Sequence, residues 1–264
     1  MNTAGLKLFE QLGLAYKPPR STKTYVCEFC FGREMVKRYL GSSMHVFLLN
    51  IPRLEFAALI PKGDYVTLCL FGWDIDKPLV QSFLDSSEVK RCLPPNWQSP
   101  DDFCHCSPRI NVQAAVQPFA DRLVFVGDCG ATRLYKDGIG AAYRTAKAAA
   151  KTAIFEGISA DDFRRHYWPI CQTICNDNRI GKLVFAVTRQ IQRIRYARRG
   201  VRRMVSKEQQ KEGPDRQMST VLWDIFTGST SYWNVFLRTL RPSFLGHFLW
   251  DIVFGSRPLS MRRG

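Results

Sequence analysis

Apolar residues recur along this chain with two different periods, and the change between them divides it. The runs Met44–Asn50, Glu55–Ile60 and Tyr65–Phe71 are short and rich in β-branched and aromatic residues, which predicts strands. Pro61-Lys62-Gly63-Asp64 joins the last two with turn-forming residues, so the three read as an antiparallel meander with one buried face. Upstream, Leu6, Leu8, Phe9 and Leu12 outline a short helix before Pro18-Pro19. Downstream, Pro78–Ser87 predicts a helix with its proline in the first turn, ended by the Pro94-Pro95 loop. The polar stretch from Trp97 to Pro108 reads as loop.

Helical spacing dominates the second half. Leu123–Val126 predicts a buried strand, Gly127-Asp128 a sharp turn, and Gly140 to Phe155 an alanine-rich helix. Ser159-Ala160-Asp161-Asp162 is a cap for a further helix through Cys175. From Ile180, the residues Leu183, Val187, Ile191, Ile194, Val201 and Met204 mark one helical face, with basic residues on the others. Lys207–Gln217 is a polar linker, and Thr220–Phe254 is dense in large aromatics, including Trp223, Tyr232, Trp233, Phe244 and Trp250. The chain therefore reads as α+β, with a sheet region over 1–117, a closing strand, turn and helix over 118–160, a basic helical region over 161–216, and aromatic-rich helices over 217–264.

Composition narrows the class. At 264 residues, 45% hydrophobic and 23% charged, the chain can bury a real core and is not broadly disordered. Its formal charge is +15, and Arg179–Arg216 holds twelve Lys/Arg against Glu208, Glu212 and Asp215. More than half the excess thus lies in one segment, which calls for an anionic partner. No window reaches the roughly 18 apolar residues of a spanning helix, and Met1–Leu6 lacks the basic start of a secretory signal. With nine scattered cysteines, reduced thiols and a cytoplasmic location are the expectation.

Candidate chemistry concentrates at the Gly127-Asp128 turn. An aspartate at a strand end can accept hydrogen bonds from ligand hydroxyls, and Gly127 and Gly130 relieve crowding beside it. Gly138 and Gly140 follow Asp128 by ten and twelve residues and let backbone N–H groups approach a ligand at a helix N-terminus. The plain alternative is a strand–turn–helix corner with an aspartate cap.

That spacing resembles a family. Gly127-Asp128-Cys129-Gly130 with Gly138-Ile139-Gly140 is similar to the second FAD-binding motif of the geranylgeranyl-reductase and para-hydroxybenzoate-hydroxylase group of flavoproteins. The resemblance implies that the turn ends the last strand of an FAD-binding sheet, that Asp128 binds the ribityl chain, and that the glycine-led helix faces the pyrimidine end of the flavin. The cofactor-binding set is then Gly127, Asp128, Gly138, Ile139 and Gly140, with no catalytic residue assigned and NAD(P)H as a candidate reductant. Tyr135 stands where the family usually has proline. The meander through Phe56–Asp64 resembles the same family's substrate domain. The G-x-G-x-x-G opening that grips the FAD pyrophosphate in that family has no counterpart here, which implies an N-terminal partner subunit, a longer chain, or a degenerate copy.

Other constellations are weaker. Cys27-Glu28-Phe29-Cys30 and Cys104-His105-Cys106 offer four thiolates to a metal, yet ordinary buried or loop thiols are the favoured reading, and no metal is assigned. Cys171 and Cys175 share a helix face and read as packing residues. His45, His105, His166 and His247 are dispersed and read as structural. The basic helix and aromatic tail suit either a membrane interface or an ordinary amphipathic surface, and these two stand level. Nucleic acid ranks lowest, because no binding module is recognised.

The function expected from all this is an FAD-dependent oxidoreductase, or part of one, acting on a hydrophobic, lipid-like small molecule, peripherally at the inner face of an anionic membrane. The alternative is a basic, non-catalytic membrane- or nucleic-acid-associated protein of flavoprotein ancestry.

Overall fold

A computed structural model of the chain describes residues 13–95, 97, 105–136, 138–209 and 215–253. The expected N-terminal helix at Leu6–Leu12, Cys104 and part of the Lys207–Gln217 linker lie outside the described residues. The architecture is α+β, in two compact units.

One unit comprises Thr22–Ile110 together with Val187–Arg195. Its centre is a five-stranded sheet in the order β3-β4-β5-β2-β6, built from β2 (Tyr25–Cys30), β3 (His45–Phe47), β4 (Leu54–Lys62), β5 (Tyr65–Gly72) and β6 (His105–Cys106). Every pairing in it is antiparallel. The β3–β4–β5 meander is the one the apolar runs predict, with Lys62 opposite Tyr65 across the tight turn. The short strands β1 (Ser21–Lys23) and β7 (Arg109–Asn111) pair separately.

Alternation decides which sheet face is buried. Tyr25, Cys27 and Phe29 of β2, Val66, Leu68 and Leu70 of β5, and Ala57 and Leu59 of β4 point one way. They pack with Val36 of α1 (Arg33–Tyr39), with Leu79, Val80, Phe83 and Leu84 of α2 (Lys77–Leu84), and with Val89 of α3 (Ser87–Lys90). Helix α2 begins where expected, because Asp76 accepts the Leu79 N–H at 3.1 Å as its N-cap.

Two elements here differ from expectation. Strand β2 was not foreseen, since its alternating Cys-Glu-Phe-Cys run carries few β-branched residues, and it extends the meander beyond β5, between β5 and β6. The stretch read as loop from Trp97 to Pro108 contributes β6, whose two residues pair with Val26 and Cys27.

The second unit comprises Asn111–Ala186, the segment from Tyr196 onward, and the segment ending at Ser21. A hairpin of β8 (Phe119–Ala120) and β9 (Leu123–Val124) leads into a 3-10 turn at Gly127–Cys129 and then α4 (Gly138–Phe155). The buried strand expected over Leu123–Val126 is thus corrected to a two-residue, half-buried strand. Among the described residues it pairs only with β8, so it lacks the flanking strands that would bury both faces.

Beyond α4, Ser159 and Asp162 form a reciprocal capping box that opens α5 (Ala160–Asp162). The chain continues through a π-helical turn (Phe163–Tyr167) into α6 (Trp168–Arg193). The helix expected to end at Cys175 therefore runs on without a break at Ile180, where the sequence offers neither proline nor a positive-φ glycine. Helices α7 (Arg195–Glu208), α8 (Gln217–Thr227), α9 (Tyr232–Thr239) and α10 (Pro242–Val253) complete the unit. Glu208 ties α7 to the start of α8, its carboxylate accepting the N–H groups of Met218 at 2.8 Å and Ser219 at 2.7 Å. Gly228, with φ of 72°, ends α8 in a left-handed C-cap.

Candidate functional site

The Gly127-Asp128 turn is held from below by α4. Gly127 has φ of 56°, and its N–H donates to Thr145 Oγ1 at 2.9 Å, while that hydroxyl donates to Ala141 O at 2.8 Å. A Cβ on Gly127 would stand 3.0 Å from the Ala142 methyl, so glycine lets the turn and helix close on each other. Gly130 is needed more strictly, since a Cβ there would fall 2.4 Å from Phe125 O.

The flanks of the turn are pinned as well. Asn111 Nδ2 donates to Asp128 O at 2.8 Å, and Tyr16 OH donates to Cys129 O at 2.8 Å. Tyr16 also stacks on Phe125 with ring centroids 3.9 Å apart, and burial pushes its phenol pKa up to about 12, keeping it a neutral donor. Tyr167 OH donates to Phe125 O at 2.5 Å, and its pKa is likewise raised, chiefly by burial. Phe119, Ala131, Phe163, Tyr167 and Cys171 form the apolar cluster beneath.

With the backbone fixed this way, the Asp128 side chain is exposed and turned toward the start of α4. A Cβ on Gly138 would lie 3.7 Å from Oδ1 and 3.8 Å from Oδ2 of Asp128, ordinary contact distances. The structure therefore brings Gly127, Asp128 and Gly138 together, with Ile139 and Gly140 in the first turn of the same helix. The N–H groups of a helix's first turn have no acceptor within the helix, and the dipole adds partial positive charge there. A carboxylate acceptor and a set of backbone donors thus face the same exposed volume. The Ile139 side chain beside them is 90% exposed, and Tyr143, one turn further, is also exposed.

The connecting segment 130–136 has a surprise at Tyr135. Its φ is 64°, a left-handed conformation closed to proline, so the departure from proline is a change of backbone path and not merely of side chain. Tyr135 is buried and meets Phe185 edge-on at 5.0 Å. Next to it, Arg133 is buried and donates to Gly228 O at 2.7 Å and Thr230 O at 2.5 Å. Its Nε lies 3.5 Å from Asp177, and its guanidinium covers the Tyr232 ring at 4.9 Å. Asn178 receives the Leu134 N–H and donates to Thr132 O, both at 2.8 Å, and Tyr232 OH donates to Leu134 O at 2.6 Å. The segment between the two halves of the candidate site is therefore fastened to α6 and α9.

Several supporting residues escaped the sequence reading: Thr145, Asn111, Tyr16, Arg133 and Asn178. Thr145 left a signal. It and Thr152 are seven apart in an alanine-rich helix, hence on one face, and both are buried. The others act across long stretches of chain and leave no local pattern.

The remaining candidates resolve differently. Cys27 and Cys30 are three apart on β2, so Cys27 faces the core and Cys30 the opposite, exposed face, and the pair cannot hold one ion. Among the described residues no group of three or more His, Cys, Asp or Glu converges on a metal position. Cys171 is buried and Cys175 half-buried in the apolar cluster, as packing residues. In the sheet unit, Glu55 falls at the register irregularity between Leu54 and Phe56 and is only 2% exposed. Its Oε1 accepts from Trp73 Nε1 at 3.2 Å and from Arg189 at 2.5 Å, and Gln192 Nε2 donates to Glu55 O at 2.6 Å.

No family model and no curated protein matches the chain. Among solved structures, it is similar to a variant of the halogenase PltM in complex with FAD, with TM-score 0.47 and 11% identity over 93% of this chain and 55% of that one. It is also similar to CmlS, a flavin-dependent halogenase, with TM-score 0.36 and 13% identity over 97% of this chain and 44% of that one. The chain spans about half the length of these two proteins.

Proposed function

We propose that this chain carries the ribityl- and ring-facing end of the FAD site of a flavin-dependent oxidoreductase that acts on a hydrophobic, lipid-like substrate, with NAD(P)H as reductant. One observation carries the reading: the Asp128 carboxylate and the first turn of α4 face each other across Gly138, on a backbone fixed by Thr145, Asn111 and Tyr16. The residues fit the group. Glycine at 138 leaves the carboxylate clear, and among the described residues no hydrogen bond reaches either of its oxygens, so both can accept from ribityl hydroxyls. The N–H groups of Ile139 and Gly140 suit the electron-rich edge of a flavin ring, and the exposed Ile139 and Tyr143 side chains supply apolar surface beside it.

Bound flavin supplies hydride or oxygen chemistry, while this chain's residues hold it and exclude water. The turn is common to reductases and monooxygenases, and substrate-dependent oxygen consumption distinguishes the two. The test of the reading is the visible spectrum of the purified chain with FAD. A perturbed flavin band that disappears in Asp128→Ala supports it, and a spectrum identical to free FAD in the wild type overturns it.

A further inference from the structure

We propose that helices α7, α9 and α10 form a docking surface for an anionic lipid bilayer, lying flat on it. Two independent features of the helical unit carry this, and neither depends on the flavin reading.

The first is charge. Helix α7 carries Arg195, Arg198, Arg199, Arg202, Arg203 and Lys207 against a single acid, Glu208. Glu208 is buried and spends its carboxylate on the start of α8, so it offers no compensation at the surface. Arg203 and Lys207 are engaged by Asp251 of α10, leaving Arg199 and Arg202 exposed on one side of the helix. No ion pair to these two occurs among the described residues.

The second is apolar exposure with helical period. On α9, Trp233, Leu237 and the C-cap residue Leu240 are spaced i, i+4, i+7 and all exposed, while Tyr232 and Val235 face the core. On α10, Leu245, Leu249 and Val253 form an i, i+4, i+8 row beside Trp250, which is 61% exposed. The opposite side of α10 is buried through Phe244 and Asp251. These faces are not core faces that happen to fray. Each helix already buries one side and turns a second apolar row outward, which a solvated helix does not require.

The two features adjoin. Helix α10 seats against α7 at Gly200, where a Cβ would meet Ile252 at 2.7 Å and Phe248 at 3.3 Å. Leu245 and Leu249 lie within about 100° of that seam around α10, and Tyr196 and Arg199 within about 100° of it around α7, at about 100° per residue. Tyr196 is exposed and lies under the Arg199 guanidinium at 5.8 Å. Outward tryptophans and leucines flanked by unpaired arginines match the boundary between acyl chains and anionic headgroups, whereas a second copy of so basic a face would repel it. Among the described residues no helix is long and apolar enough to cross a membrane.

The test is co-sedimentation of the full chain with phosphatidylcholine vesicles, with and without about 30% phosphatidylserine, an anionic content at which basic residues bind measurably. The wild type should partition onto the anionic vesicles at least tenfold better than onto neutral ones. The pair Arg199→Glu/Arg202→Glu and the pair Leu237→Ser/Leu249→Ser should each lower that partition tenfold or more, with circular dichroism melts close to wild type. Charge reversal without effect would overturn the proposal. So would equal binding to neutral vesicles, a concentration-dependent dimer abolished by the leucine pair, or tighter binding to single-stranded RNA than to anionic vesicles.

Discussion

Replacing Arg133 with methionine probes the brace behind the candidate site. The substitution keeps the length and apolar stem of the side chain but removes the charge that Asp177 faces at 3.5 Å and the donors to Gly228 O and Thr230 O. Breaking a buried ion pair by deleting one partner costs about 3–5 kcal/mol, because the survivor is left uncompensated. Asp177 keeps two donors, the N–H groups of Tyr232 at 3.1 Å and Trp233 at 3.0 Å, which argues for the lower end, about 3 kcal/mol. Two orphaned carbonyls and the lost cation–π contact keep it from falling further. At about 2–4 °C per kcal/mol for a domain of this size, the melting temperature should fall by about 6–12 °C. Thermal and urea denaturation followed by circular dichroism read this directly. Arg133→Lys should recover less than half, since an ammonium cannot reach both carbonyls and the carboxylate. A loss under about 1 kcal/mol for Arg133→Met would refute the claim that this residue braces the segment between the turn and α4.

Three further outcomes follow from the same geometry. Thr145→Val should cost about 1–3 kcal/mol, because the buried Gly127 N–H loses its acceptor, and Gly130→Ala should cost at least as much by forcing a Cβ onto Phe125 O; urea midpoints measure both. In thiol titration near pH 8, the exposed Cys30 and Cys106 should react within minutes, while Cys69 and Cys171, each pushed up to about 11 chiefly by burial, should lag by orders of magnitude unless the protein is unfolded. Hydrogen bonds from Arg53 and from the Leu79 N–H hold the Asp76 carboxyl below its usual range, so its contribution is complete at neutral pH and is lost as pH falls through its folded value. Asp76→Asn should therefore flatten the acid limb of the stability profile, below about pH 4.

What the sequence made legible follows from how local each signal is. The β3–β4–β5 meander was readable because apolar runs and a Pro/Gly turn lie within one short stretch. The Ser159 cap was readable for the same reason, since both partners of its box are three residues apart. The Gly127-Asp128 turn and Gly138 were paired through their resemblance to a flavoprotein motif, and they do meet. Strand β2 was lost because its Cys-Glu-Phe-Cys run carries few β-branched residues, and β6 because two residues carry no period. Long-range braces were invisible in principle: Tyr16 to Cys129 spans 113 residues, and Arg133 to Thr230 spans 97. The aromatic tail was half legible. Its density was plain, but only packing separates the buried Tyr232 and Phe244 from the outward Trp233 and Trp250.

The central claim is that the Asp128 turn and α4 hold the ribityl and ring end of a flavin. Isothermal titration of the full chain with riboflavin, FAD and ADP in parallel tests it most directly. The account predicts that riboflavin binds within about tenfold of FAD, that ADP does not compete with either, and that Asp128→Asn weakens riboflavin and FAD alike by about tenfold or more, the worth of one charge-assisted hydrogen bond. ADP competing with FAD while riboflavin fails to bind, or flavin affinity unchanged in Asp128→Asn, would contradict it.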